Sequence, residues 1–145
     1  MKALTLVLTL LLSMTPLSSF ADKESKPFAE KRIVLQISDP NPFKQTLVLN
    51  VASNLIKHYG QDKIDIEIVA FGPGLRLLME GNSNQSRISS LNGSGVQFSA
   101  CKNTIAGFTK KLGHKPVLVS EATPVSAGVV RIIDLTSQGY TLVKP

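Results

Sequence analysis

The chain has 145 residues, 16 of them Lys or Arg and 10 Asp or Glu, for a net charge of +6. That length suits one domain around one hydrophobic core and argues against two. The basic residues are scattered, with pairs at Lys31-Arg32 and Lys110-Lys111 but no longer run, and only 6% of residues are aromatic; this describes a generally basic surface and argues against a nucleic-acid stripe.

The first 21 residues have the anatomy of an export signal. Lys2 precedes an apolar run over residues 3–12, and Ser19 and Ala21 supply the small side chains a signal peptidase requires, so cleavage is expected after Ala21. The run is shorter than the roughly 20 residues that cross a bilayer, so no stable membrane anchor is expected. The mature chain is expected to be periplasmic or secreted, with a flexible polar arm over residues 22–31 and a folded domain over residues 32–145.

Within that domain, residues 32–37 are rich in branched side chains and read as a first strand, stopped by Ser38-Asp39-Pro40-Asn41-Pro42. Over residues 43–58, Leu47, Val48, Val51, Ala52, Leu55 and Ile56 recur at three- and four-residue spacing, which paints one stripe on a helix. Gly60 ends it. Residues 63–71 read as a second strand in which Asp65 and Glu67 alternate with isoleucines, so its start is expected to have an exposed face. Phe71-Gly72-Pro73-Gly74 ends this strand in a turn, a short helix follows over residues 75–79, and residues 81–86 are polar loop. Residues 88–91 form a helical turn before the Asn92-Gly93-Ser94-Gly95 turn.

A third strand is expected over residues 96–100, with Cys101 at its end and a helix over residues 103–112 stopped by Gly113. Residues 116–119 read as a fourth strand and residues 121–127 as loop. Residues 128–137 carry Val129, Val130, Ile132, Ile133 and Leu135, dense enough for a mostly buried helix, and residues 140–143 form the last strand. Strict alternation of strand and helix predicts an α/β fold, a three-layer α/β/α sandwich whose mostly parallel sheet has about five strands. Such sheets bind ligands beyond the carboxyl ends of their strands, where Ser38-Asp39, the Phe71–Gly74 turn and Cys101-Lys102-Asn103 would arrive together.

Cys101 is the only cysteine, so an internal disulfide is excluded and the fold stands on packing. At a helix amino end it meets unpaired backbone amides and the positive end of the helix dipole, with Lys102 adding a cation, all of which favour thiolate. The competing reading is an inert sulfur packed under the next helix, because free cysteine is among the most buried residue types. Gly72 and Gly74, with Arg76 nearby, can expose amides to an anion; a turn that requires glycine's freedom is the structural alternative. Asp39 can orient a partner or tune the sulfur, although Asp before Pro is common in turns. His58 and His114 are poorly placed for acyl transfer, and neither has a neighbour at metal-ligand spacing, so no metal or other cofactor is expected.

Residues 96–104, together with Gly128-Val129-Val130-Arg131-Ile132 and Gln138-Gly139-Tyr140, resemble the DsrE/DsrF-like family, and the likeness extends over residues 33–145. The resemblance implies a compact α/β/α domain that commonly forms homo-oligomers, or mixed oligomers among its relatives, and, as in the best understood members, a cysteine after the third strand that carries sulfur as a persulfide. Cys101 matches that position. Lys102 and the amides of Asn103 and Thr104 would stabilise the anion, with the loop from Gly72 to Gly74 shaping the entrance. The partners implied are a sulfur donor or acceptor, either a protein or a small sulfur compound. Two departures stand out: the residues after Cys101 lack the arginine-glycine pattern of the best known carriers, and the expected export separates this chain from cytoplasmic transfer-RNA thiolation. A non-catalytic oligomeric binding module and a thiol redox sensor are the alternatives.

Overall fold

The computed structural model describes residues 26–145, and the expected signal peptide lies outside them. Five strands, β1 (Lys31–Ile37), β2 (Ile64–Ala70), β3 (Gln97–Cys101), β4 (Ala122–Val125) and β5 (Thr141–Val143), alternate with the helices α1 (Pro42–Tyr59), α2 (Gln85–Gly93), α3 (Lys102–Leu112) and α4 (Gly128–Ser137). A 3-10 helix, Gly72–Leu78, leads out of β2. The sheet order is β4-β3-β2-β1-β5 and every pairing is parallel. Helices cover both sides, which makes the domain a three-layer α/β/α sandwich.

Local sequence explains the element ends. The Asn41 side chain accepts from the Phe43 amide at 2.9 Å and Pro42 occupies the first turn, so α1 starts there. Gly60, at φ 87°, takes the chain out of it. Val48, Leu49 and Ala52 are buried while Leu47 is 39% exposed, so the helix is rotated slightly from the expected stripe, with Leu49 inside in place of Leu47.

The two sides of the sheet differ. Even-numbered residues of β2 and β3, among them Ile66, Ile68, Phe98 and Ala100, pack with α1, α2, α3 and the 3-10 helix in the main core. Each fully buried aliphatic side chain there contributes about 1.5–3 kcal/mol relative to exposure. The opposite side has a much smaller core of Val34, Val69, Ile132, Leu135 and Tyr140 under α4. Asp65, Glu67, Ser99 and Cys101 share that second side by strand alternation.

Four expectations are corrected. All seven residues of β2 are buried, so Asp65 and Glu67 do not line an exposed face. Burial is tolerated because Arg131 grips Glu67 with Nε and one terminal nitrogen, each at 2.8 Å, Ser99 Oγ donates to the same carboxylate at 2.5 Å, and Tyr140 donates to Asp65 at 2.6 Å. The fourth strand is Ala122–Val125; residues 116–119 contribute only one isolated antiparallel bridge, Met79 to Leu118. Helix α2 starts at Gln85, so the expected polar loop ends two residues early, tied by Asn82 Nδ2 to the Gln45 side chain and the Arg76 carbonyl, each at 3.0 Å. Helix α4 is not mostly buried: Val129, Val130 and Ile133 are about half exposed.

Residues 26–30 run along the amino-terminal edge of the sheet, where the Lys26 amide donates to Asp65 at 3.3 Å and the Glu30 amide to the Lys63 carbonyl at 2.8 Å. Among the described residues, no helix is long and apolar enough to cross a membrane.

Candidate functional site

The sheet register brings the carboxyl ends together: Ile37 pairs with Ala70, Ala70 with Ala100, and Cys101 with Val125. Cys101 is therefore both the last residue of β3 and the N-cap of α3, with extended backbone at φ −66° and ψ 117°. Its position at that junction directs the free amides of the first helical turn toward the sulfur. A second helix begins beside it, because β4 ends level with Cys101 and α4 starts three residues later at Gly128.

Cys101 is buried, with 4% of the residue exposed. Burial pushes its pKa up, but the Thr104 hydroxyl and the backbone amides of Thr104, Gly128 and Asn103 lie where they favour the thiolate, and together they hold the thiol below its ordinary value; the side chain makes no capping hydrogen bond to α3. Polar groups at two helix amino ends thus favour the anionic form of one sulfur. Gly128 has to be glycine for this approach, since a Cβ there would lie 2.8 Å from Phe71 Cβ.

The remaining expected site residues divide. Asn103 and Thr104 are among the groups that lower the thiol's pKa. Lys102 is exposed and is not among the groups that act on the thiol. Gly72 joins the cluster indirectly: its amide donates to Thr104 Oγ1 at 2.8 Å, which orients the hydroxyl that faces Cys101. Gly74 is buried against the end of β1, where a Cβ would lie 2.7 Å from Ser38 Cα, so its smallness serves close packing between two loops. Asp39 is exposed and accepts from the Asn41 amide at 2.8 Å, the turn-forming role of an Asp before Pro. His58 stacks edge-on against Tyr59 and His114 contacts the Lys115 carbonyl, both exposed and neither touching the sulfur. Among the described residues, no group of three or more His, Cys, Asp and Glu is arranged to hold a metal ion.

Two contributors were not anticipated. Gly128 supplies an amide, and Arg131, one turn further along α4, clamps that helix to Glu67 on β2. The signal for Gly128 is its place at the start of a helix that follows a strand, which is informative only once β4 is located correctly. An open cleft of about 330 Å³ lies next to the cluster, between the 3-10 helix and α3, and Gly72 and Thr104 are in its wall.

Comparison with known proteins agrees on the architecture. No protein-family model matches the chain, and no curated protein does. Among solved structures, a protein of unknown function from Methanobacterium thermoautotrophicum, MTH1491, is similar with a TM-score of 0.71 and 26% identity, covering 80% of this chain and all of that one. The ychN protein from E. coli matches at TM-score 0.63 and 15% identity, covering 79% of this chain and 99% of that one. The protein of unknown function BT1422 from Bacteroides thetaiotaomicron matches at TM-score 0.53 and 15% identity, covering 79% and 95%. These are likenesses of fold, and the chemistry has to be argued from the residues.

Proposed function

We propose that the protein is an exported persulfide carrier of the DsrE/DsrF-like kind, working in the periplasm, in which Cys101 transiently holds sulfur. The observation that carries this is the place of Cys101 at the carboxyl edge of the sheet, N-cap of α3 and level with the strand end that leads into α4, where the Thr104 hydroxyl and three backbone amides favour its anion. The same donors that favour thiolate favour a persulfide anion, whose charge resides on a sulfur one bond further out.

In the loading step the Cys101 thiolate attacks the outer sulfur of a sulfane-sulfur donor. A new S–S bond forms, the donor's own S–S bond breaks, and the donor leaves with the electron pair as a thiolate or sulfite. In the delivery step an acceptor nucleophile takes the outer sulfur and Cys101 departs as thiolate, so the protein is unchanged over the cycle. Export is supported by the signal anatomy of residues 1–21. A homo-oligomer is supported by the half-exposed Val129, Val130 and Ile133 on α4.

Incubation with a sulfane-sulfur donor followed by intact-mass measurement should find one added sulfur atom on the wild type and none on Cys101→Ser. No adduct on either protein would remove the proposal. A non-catalytic binding module of the same fold is the second reading, favoured by the low exposure of the sulfur; it predicts that Cys101→Ser keeps all ligand binding and that the wild type takes up no sulfur.

A further inference from the structure

We infer that the cleft between the 3-10 helix and α3 is the docking site for the sulfur donor, and that this donor is a small anion in which the sulfane sulfur adjoins an oxyacid group, as in thiosulfate. The chemistry rests on the carrier proposal; the site rests on the cleft itself. Four residues of α3 at helical spacing, Thr104, Gly107, Phe108 and Lys111, form one wall, and Pro73 and Arg76 of the 3-10 helix form the other. At about 330 Å³ the space is at the small end of ligand pockets, which suits an anion of a few heavy atoms better than a nucleotide.

The charge in the cleft is one-sided. Arg76 and Lys111 are both exposed, and among the described residues neither is paired with a carboxylate. No acidic residue lines the cleft. The Arg76 guanidinium lies 5.9 Å from the centre of the Phe108 ring, whose face holds the cation in place without neutralising it. An anion entering here gains two cations over an apolar surface.

Gly107 is the second independent observation. It lies inside α3, where glycine weakens a helix relative to other residues, and a Cβ at this position would meet nothing within 4 Å. Packing therefore gives no reason for glycine; keeping the cleft floor open does. Thr104 links this site to the chemistry, since it lines the cleft and its hydroxyl favours the Cys101 thiolate. Thiosulfate held by Arg76 and Lys111 would reach Cys101, which does not itself line the cleft, past Thr104, the lining residue that also acts on the thiol. Attack forms the Cys101 S–S bond, breaks the bond to the sulfonate group, and releases sulfite with the electron pair, so no oxidant, reductant or proton is required.

The test measures transfer and binding separately. Sulfuration of Cys101 by thiosulfate, followed by intact mass, should slow about tenfold in Arg76→Ala and in Lys111→Ala, the effect of removing one charge-assisted contact. Alkylation by neutral iodoacetamide should stay within about twofold of wild type in both. Gly107→Leu should raise the melting temperature through helix propensity and yet abolish thiosulfate transfer, a pairing that structural damage would not produce. In parallel, NMR titration of Cys101→Ser with thiosulfate should shift α3 and 3-10 helix resonances, and Arg76→Ala should weaken this binding. If the wild type takes no sulfur while Cys101→Ser binds thiosulfate at the cleft, the carrier proposal fails and the site stands. Transfer from thiosulfate at wild-type rate in all three variants, equal slowing of iodoacetamide, or shifts outside the cleft would overturn the inference.

Discussion

Replacing Arg131 with Met keeps the aliphatic stem over the sheet but removes both charged contacts to Glu67, which is 1% exposed. Glu67 then keeps the Ser99 hydroxyl but loses the cation that balanced its charge. Breaking a buried ion pair on one side costs about 3–5 kcal/mol. The Arg131 side chain is 20% exposed, so water can reach part of the vacated space and the lower end, about 3 kcal/mol, applies. With a urea slope of about 1–3 kcal/mol per molar, the unfolding midpoint should fall by roughly 1–3 M, read by circular dichroism. The double variant Glu67→Leu with Arg131→Met should recover most of that loss, because an apolar pair in the same volume carries no unpaired charge. A single-variant loss below about 1 kcal/mol, or a double variant as weak as the single one, would refute the view that this ion pair anchors α4 to the sheet.

Thr104→Val removes the hydroxyl that favours the Cys101 thiolate and should slow iodoacetamide alkylation at neutral pH about tenfold or more, since a hydrogen bond to a charged group is worth about 1.5–3 kcal/mol; an unchanged rate would exclude the hydroxyl as a thiolate donor. Gly128→Ala forces a methyl to within 2.8 Å of Phe71, so it should cost about 1–3 kcal/mol in urea unfolding and also slow alkylation by shifting the Gly128 amide. Because folding lowers the Cys101 pKa, the unfolded chain binds more protons between the folded and unfolded values, and stability rises with pH across that window. The stability advantage of wild type over Cys101→Ser should therefore grow as pH rises toward about 8.5 and shrink as it falls through the folded value.

The order of elements and the place of Cys101 at the carboxyl edge are legible in the sequence because they follow from local periodicity and from glycine and proline stops. What is not legible depends on contacts between distant segments. Asp65 and Glu67 look like the solvent face of a half-buried strand; their partners Tyr140 and Arg131 lie 75 and 64 residues away, and no local pattern announces them. The fourth strand is misleading for a related reason. Residues 116–119 are more apolar than Ala122–Val125, but an edge strand with two exposed central residues, Thr123 and Pro124, does not need an apolar run, and an edge position tolerates proline's missing donor. Placing that strand too early also hides the start of α4 from the sheet edge, and with it the Gly128 amide.

The most direct measurement is the ultraviolet thiolate absorbance of wild type minus Cys101→Ser, titrated in the native state and again in urea. It requires no access by a reagent, and the single cysteine assigns the signal. Native Cys101 should ionise at a lower pH than the unfolded thiol, which titrates near about 8.5. A native thiol that ionises at the same pH as the unfolded one, or higher, would mean that the groups around Cys101 do not favour an anion, and the carrier chemistry proposed for this sulfur would be contradicted.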